Sequence, residues 1–97
     1  MQRRIDKTIV EWDINKNRLN IKKHRLSFET AMLVFADVNR IEMYDYKHSV
    51  HEDRYAVIGM VNDIIIVICT ERHKNIRIIS ARTATTEERK IYYGKNR

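Results

Sequence analysis

Two arginines five positions apart, Arg77 and Arg82, stand in the stretch Ile76–Glu88, which reads IRIISARTATTEE. A strand that buries isoleucines while presenting guanidiniums is suited to hold an anion. The odd spacing puts the two on opposite faces of a regular strand. If both serve one site, the strand is bulged or ended between them. If it is regular throughout, one is structural, and Arg82, next to the Thr-rich turn, is the one to keep as functional. Glu52 and Arg54 are two apart before an apolar run and share a face if extended. They are either a surface ion pair at a strand end or a proton-accepting carboxylate beside a guanidinium that stabilises phosphate charge. Lys22, Lys23 and His24 are consecutive. They either complement the negative end of a helix or aim a lysine and a titratable imidazole at a phosphodiester.

Other chemistries find little support. The histidines are His24, His48, His51 and His73. His48 and His51 are three apart in a polar loop with no cysteine partner nearby, which is not a zinc-ligand pattern. The sequence calls for no metal and no cofactor. There is no glycine-rich phosphate loop. Ser49 lies between two histidines, but adjacency alone defines no nucleophile. The single cysteine, Cys69, excludes an internal disulfide framework and sits in an apolar run, where a buried, inert thiol is expected.

These residues need a scaffold, and 97 residues provide one domain. With 43% hydrophobic and 33% charged residues the chain is globular rather than disordered. A net charge of +6 favours a polyanionic or acidic partner. The longest apolar run, Ile64–Cys69, is too short to span a bilayer. Met1–Lys7 is basic but no apolar signal region follows. The expected location is the cytoplasm, with no membrane partner.

The elements follow from pattern. Residues 1–7 are expected to be a loose N-terminal extension. Thr8–Trp12 reads as a first strand. Asp13 caps a helix over Ile14–His24, on which Asn17, Asn20 and His24 share a polar side. That side lies on the surface or lines a site. Ser27 caps a second helix, with Phe28, Ala31, Met32 and Phe35 at helical spacing, ending near Asp37–Asn39. Strands are expected over Arg40–Tyr46, Tyr55–Val61, Ile64–Glu71 and Ile76–Arg82, with Lys47–Asp53 a polar loop and two tight turns between the last three. Thr85 and Glu88 form a capping box for a closing helix that Gly94 is placed to stop near Tyr93. Short turns require antiparallel pairing. The expected class is therefore α+β: an antiparallel sheet flanked by two N-terminal helices and one C-terminal helix, with the helices on one face.

Taken together, the motifs resemble a known family. They are EWD at Glu11–Asp13, N-x-x-K-H at Asn20–His24, SFE at Ser27–Glu29 and VFAD at Val34–Asp37. They continue with HS-x-x-E-x-R at His48–Arg54, IG at Ile58–Gly59, TER at Thr70–Arg72 and RIISAR-x-AT-x-x-ER at Arg77–Arg89. In this order they resemble the BrnT ribonuclease toxins of bacterial type II toxin–antitoxin systems, from about Val10 to Tyr93. The departures are a shortened Asn62–Asp63 turn and Arg25 where a glycine would follow His24.

The resemblance implies a RelE-like compact fold and metal-independent ribonuclease activity that inhibits translation and growth. It also implies a cognate BrnA-type antitoxin, a ribbon-helix-helix DNA-binding protein. The pair is expected as a heterotetramer that meets operator DNA only as a complex. RNA can be cut by its own 2′-hydroxyl when a base takes the proton and cations stabilise the phosphorane. On this reading Arg54, Arg77 and Arg82 carry phosphate and transition-state charge. Glu52 or His24 is the base, and Lys23 and Arg72 are further RNA contacts. The competing reading is a non-catalytic basic module that binds RNA or DNA or blocks the ribosome; both need a cationic face.

Overall fold

The computed structural model describes residues 1–96. The chain opens on a hairpin, β1 (Gln2–Ile5) and β2 (Thr8–Glu11), turned through Asp6 at φ 53°. Helix α1 (Ile14–His24) starts where the Asp13 carboxylate accepts the Lys16 amide. It stops at Arg25, which takes a left-handed φ of 57°. This is the position where a glycine would carry no steric cost. Ser27 caps α2 (Phe28–Ala31). The expected second helix holds only one α-turn before it tightens into a 3₁₀ segment, Met32–Ala36. Strands β3 (Ile41–Tyr44), β4 (Arg54–Val61), β5 (Asp63–Arg72) and β6 (Asn75–Thr83) follow, and α3 (Thr86–Lys95) closes the order. The turns between β4, β5 and β6 place Asn62, His73 and Lys74 at positive φ, so side chains rather than glycines bear those tight connections.

The strands make one six-stranded sheet in the order β1-β2-β6-β5-β4-β3. Four sequence expectations need correction. The sheet is mixed, because β2 runs parallel to β6, with Val10 beside Ile76 and Glu11 beside Arg77. A parallel neighbour is reached by a long crossover rather than a turn, and turn chemistry carries no trace of it. Residues 2–5 are an edge strand rather than a loose start. QRRI shows no alternation because its side chains are largely exposed, and its arginines suit an edge that must not recruit another chain. The helix at the C-terminus passes through Gly94 to Lys95, so the glycine does not stop it; Asn96 does, with its amide bonded to Tyr93 O.

Helices cover both faces of the sheet, not one. Against α1, α2 and the 3₁₀ segment lies a core of Val10, Trp12, Phe28, Val34, Val57, Ile65, Val67, Ile78 and Ala81. Trp12 and Phe28 meet edge to face at 6.2 Å, a favoured aromatic geometry. The other face carries Ala56, Ile58, Ile64, Ile66 and Ala84 with Tyr92 of α3. Alternation within β4 and β5 sends odd residues to the first core and even ones to the second. That double burial explains the near-continuous apolar run of β5. Among the described residues no helix is long and apolar enough to cross a membrane.

The polar side of α1 is structural. β2 ends at Glu11, so β6 beyond Arg77 has no strand on that side. Asn20 takes the strand's place: its Nδ2 donates to Ala81 O at 2.8 Å, and its Oδ1 accepts the Ala81 amide at 3.1 Å. Asn17 does similar work for α2, accepting the Phe28 amide at 2.8 Å and donating to Glu29 at 2.7 Å. Both asparagines are buried, and a buried amide so satisfied fixes where α1 sits.

Candidate functional site

The strand register builds one row of side chains across the α3 face. Arg54 on β4 lies opposite Thr70 on β5, Thr70 opposite Arg77 on β6, and Arg77 beside Glu11 on β2. Residues directly opposite one another point to the same face. Arg82 lies opposite Ile66, four residues before Thr70 on β5, and so shares that face too. The odd spacing of the two arginines is absorbed by a bulge. Ile68 pairs with Ser80 and Cys69 with Ile78, leaving Ile79 as an extra residue on β6. The bulge foreseen as a condition for a shared face is therefore present. Along the strand the two arginines stand about 13 Å apart, four residues at ~3.3 Å each.

Their surroundings differ. Both Glu88 oxygens accept from Arg82, at 2.7 and 2.9 Å. Glu88 also accepts the Thr85 amide at 2.8 Å while Thr85 Oγ1 accepts the Glu88 amide, completing the expected capping box. The Arg82 bond, then burial against it, then the cap set the Glu88 carboxyl below the usual carboxylate range, the bonds outweighing the burial. The same bond raises Arg82. Arg82 thus fastens β6 to the start of α3. Arg77 is looser, its Nη1 4.0 Å from Glu11 Oε1.

At the other end of the row, Glu52 sits between two guanidiniums. Its Oε2 lies 3.5 Å from Arg54 Nη2, and its Oε1 lies 4.0 Å from Arg72 Nη2. These are loose ion-pair distances, longer than a good charge-assisted hydrogen bond, so the carboxylate keeps acceptor capacity. Arg72 lies two residues beyond Thr70 on β5, on the same face. Arg54 Nε is buried with no hydrogen-bond partner among the described residues. Beside this cluster Met43, Ala56, Ile66, Ile68, Asp45, His48, Arg82 and Glu88 line an open recess of about 430 Å³. His48 Nδ1 is 2.9 Å from Asp45 Oδ2, so the histidine of the motif is held by the first residue after β3. Among the described residues no three His, Cys, Asp or Glu side chains gather at one point.

The structure therefore brings together Glu52, Arg54, Arg72 and Arg77, with Arg82 on the same face in a different bond. Lys23 and His24 stand apart. They line a shallow recess at the open edge of β6 with Lys16, Leu19, Asn20, Ile79 and Ser80. Among the described residues no hydrogen bond or ion pair joins them to the row. Ser80 lies on the row's face, opposite Ile68, so that recess borders it. Cys69 is buried on the far face, and burial pushes its thiol up to about 12, which fits an inert packing residue.

Sequence reasoning missed Thr70. It is buried in the middle of the row, and its Oγ1 donates to Asp53 O at 2.6 Å. A threonine in a strand is unremarkable, and only the register shows two arginines on either side of it. Also missed was the aromatic chain Tyr55–Tyr44–Tyr46, with centroids 5.6 and 4.5 Å apart.

The domain has recognised counterparts. The model of the family described as "Ribonuclease toxin, BrnT, of type II toxin-antitoxin system" matches residues 12–88. The chain belongs to this family. Among solved structures it is similar to the ribonuclease toxin BrnT of Brucella abortus, with 27% identity and a TM-score of 0.62, covering 79% of this chain and 96% of that one. No curated protein sequence matches.

Proposed function

We propose that this chain is the toxin of a type II toxin–antitoxin pair and a metal-independent endoribonuclease. The observation that carries the reading is the row: Arg54 and Arg77 flank Thr70 in register on the α3 face, and Glu52 lies between Arg54 and Arg72. In RNA the 2′-oxygen attacks the adjacent phosphorus. Glu52 accepts its proton, the P–O5′ bond breaks as a general acid delivers a proton to the 5′-oxygen, and a 2′,3′-cyclic phosphate and a 5′-hydroxyl remain. Arg54, Arg72 and Arg77 stabilise the charge that builds on the phosphorane oxygens. Lys23, at the neighbouring edge, extends the cationic track along the RNA backbone, and His24 stands beside it as a further RNA contact. Activity of this kind in the cytoplasm inhibits translation and growth. The α+β layout also supports kinship with RelE-type toxins.

The deciding experiment is incubation of the purified protein with end-labelled single-stranded RNA in EDTA. Cleavage to 2′,3′-cyclic ends is expected, and Glu52→Gln should lower the rate about 10²–10⁴-fold, the range of a general base. Intact RNA that only shifts in a salt-dependent way would sink the enzyme reading in favour of a non-catalytic binder.

Family membership supports a cognate antitoxin encoded beside the gene. A BrnA-type ribbon-helix-helix partner, binding as a heterotetramer and carrying the operator contacts, is the form we propose. Induction of the toxin alone should arrest growth, and co-induction of the neighbouring gene should restore it. Equal ribonuclease activity in free toxin and complex would count against neutralisation by masking.

A further inference from the structure

We infer that the hydroxyls of Thr70 and Ser49 are positioning groups for RNA cleavage, holding the peptide between Asp53 and Arg54 so that Glu52 faces the arginine row. The inference rests on the site reading above and deepens it. The Asp53 carbonyl and the Arg54 amide belong to one peptide unit, and each end of it is held by a side-chain hydroxyl. Thr70 Oγ1 donates to Asp53 O at 2.6 Å. Ser49 Oγ accepts the Arg54 N–H at 2.9 Å. That peptide leads directly into Arg54 and follows Glu52 by one residue, so holding its plane sets the backbone from which the two side chains meet at 3.5 Å.

The two hydroxyls reach the peptide from independent parts of the fold. Thr70 comes from the middle of β5, is only 4% exposed, and stands between Arg54 and Arg77 in the row. Valine would fill the same volume, so the hydroxyl has a task that packing does not supply. Ser49 comes from the loop itself and is anchored in turn, donating to Asp45 O at 2.6 Å. Asp45 N donates back to Arg54 O at 2.8 Å, closing the loop at its base. The Ser49 proton is therefore engaged, and the serine between two histidines is a clasp rather than a nucleophile. A loop carrying a base needs such a clasp, because a misplacement of about 1 Å can cost on the order of 10²-fold in rate.

The test compares Thr70→Val, Thr70→Ser, Ser49→Ala and Glu52→Gln in single-turnover and steady-state cleavage of a short RNA. Binding of an analogue with a 2′-deoxy residue at the cut site is measured alongside. Thr70→Val and Ser49→Ala should lower kcat about 10- to 100-fold while KM and analogue affinity stay near wild type. Thr70→Ser, which keeps the hydroxyl, should recover most of the rate. Thermal unfolding identifies folded variants, and Ser49→Ala carries the test if Thr70→Val does not fold. Wild-type kcat in the folded hydroxyl deletions, or Thr70→Ser as slow as Thr70→Val, overturns the inference. If Glu52→Gln is dead while the deletions cut normally, only this inference fails. If Glu52→Gln cuts normally, the site reading falls and takes the inference with it.

Discussion

With Glu11 4.0 Å away, Arg77 has a guanidinium available to a phosphate, whereas Arg82 gives its fork to Glu88. The two should separate under mutation. Arg77→Ala is expected to lower RNA cleavage about 10²–10³-fold, the cost of losing one preorganised donor to a transition state, with little change in melting temperature. Arg82→Ala should instead loosen the start of α3 and cost about 0.5–1 kcal/mol, since water still screens this partly exposed pair. Cleavage rates beside urea unfolding curves distinguish the two patterns, and the reverse pattern would contradict the assignment. The sequence marks both arginines but favours Arg82 for function if the strand is regular. The Thr-rich turn that draws attention to Arg82 also supplies the Glu88 that occupies it. Glu52 and Arg54 are legible as neighbours by their spacing of two. Arg72 enters only through the family motif, because its approach to Glu52 depends on β5 lying beside β4.

Element boundaries set by chemistry local to the chain were readable: Asp13, Ser27 and Thr85 all cap as expected. What could not be read depends on distant partners. The parallel β2–β6 contact leaves no local mark, and neither does Asn20 acting as a substitute strand for β6. An amide on a helix looks solvated until its partner 61 residues away is known. Asn20→Leu should therefore destabilise the fold by about 1–3 kcal/mol, through an unsatisfied strand edge, seen as a lower urea midpoint with an unchanged slope. Gly59 offers a second check. A Cβ there would run into Val34 Cγ2 and lie 3.3 Å from Asp37 Oδ2. Gly59→Ala should cost about 1–3 kcal/mol by overpacking where the 3₁₀ segment crosses β4. Wild-type stability would show that the segment gives way freely.

At the scale of the molecule, Asp37 joins the layers on the two sheet faces. It follows the 3₁₀ segment on one side and accepts the hydroxyl of Tyr92, from α3 on the other, at 2.6 Å. It also accepts the Met60 and Asn39 amides. Burial raises its carboxyl, but the Tyr92 bond, the two amides and Arg40 together win and leave it below its ordinary 3.8. Burial and the Asp37 carboxylate push Tyr92 up from 10.0 to about 12. The signs follow from linkage. A lowered carboxyl stabilises the fold above the unfolded value and loses that stabilisation as pH falls through the folded one. A raised phenol stabilises below pH 10 and loses it as pH climbs towards about 12. Unfolding free energy should thus decline at both extremes, and Tyr92→Phe should lower the plateau while flattening the alkaline decline. An alkaline limb identical in Tyr92→Phe would assign it to other groups.

The pairing of Glu11 with Arg77 has a consequence in time. The row takes residues from β2 and from β6, strands that are neighbours in the sheet but far apart along the chain. A ribosome adding roughly 5–20 residues per second exposes Glu52 and Arg54 seconds before Arg77 leaves the exit tunnel. Until then β5 lacks one neighbour and the arginine row lacks a member. A growing chain therefore completes the row only when β6 docks between β5 and β2, whatever part of the row was made first.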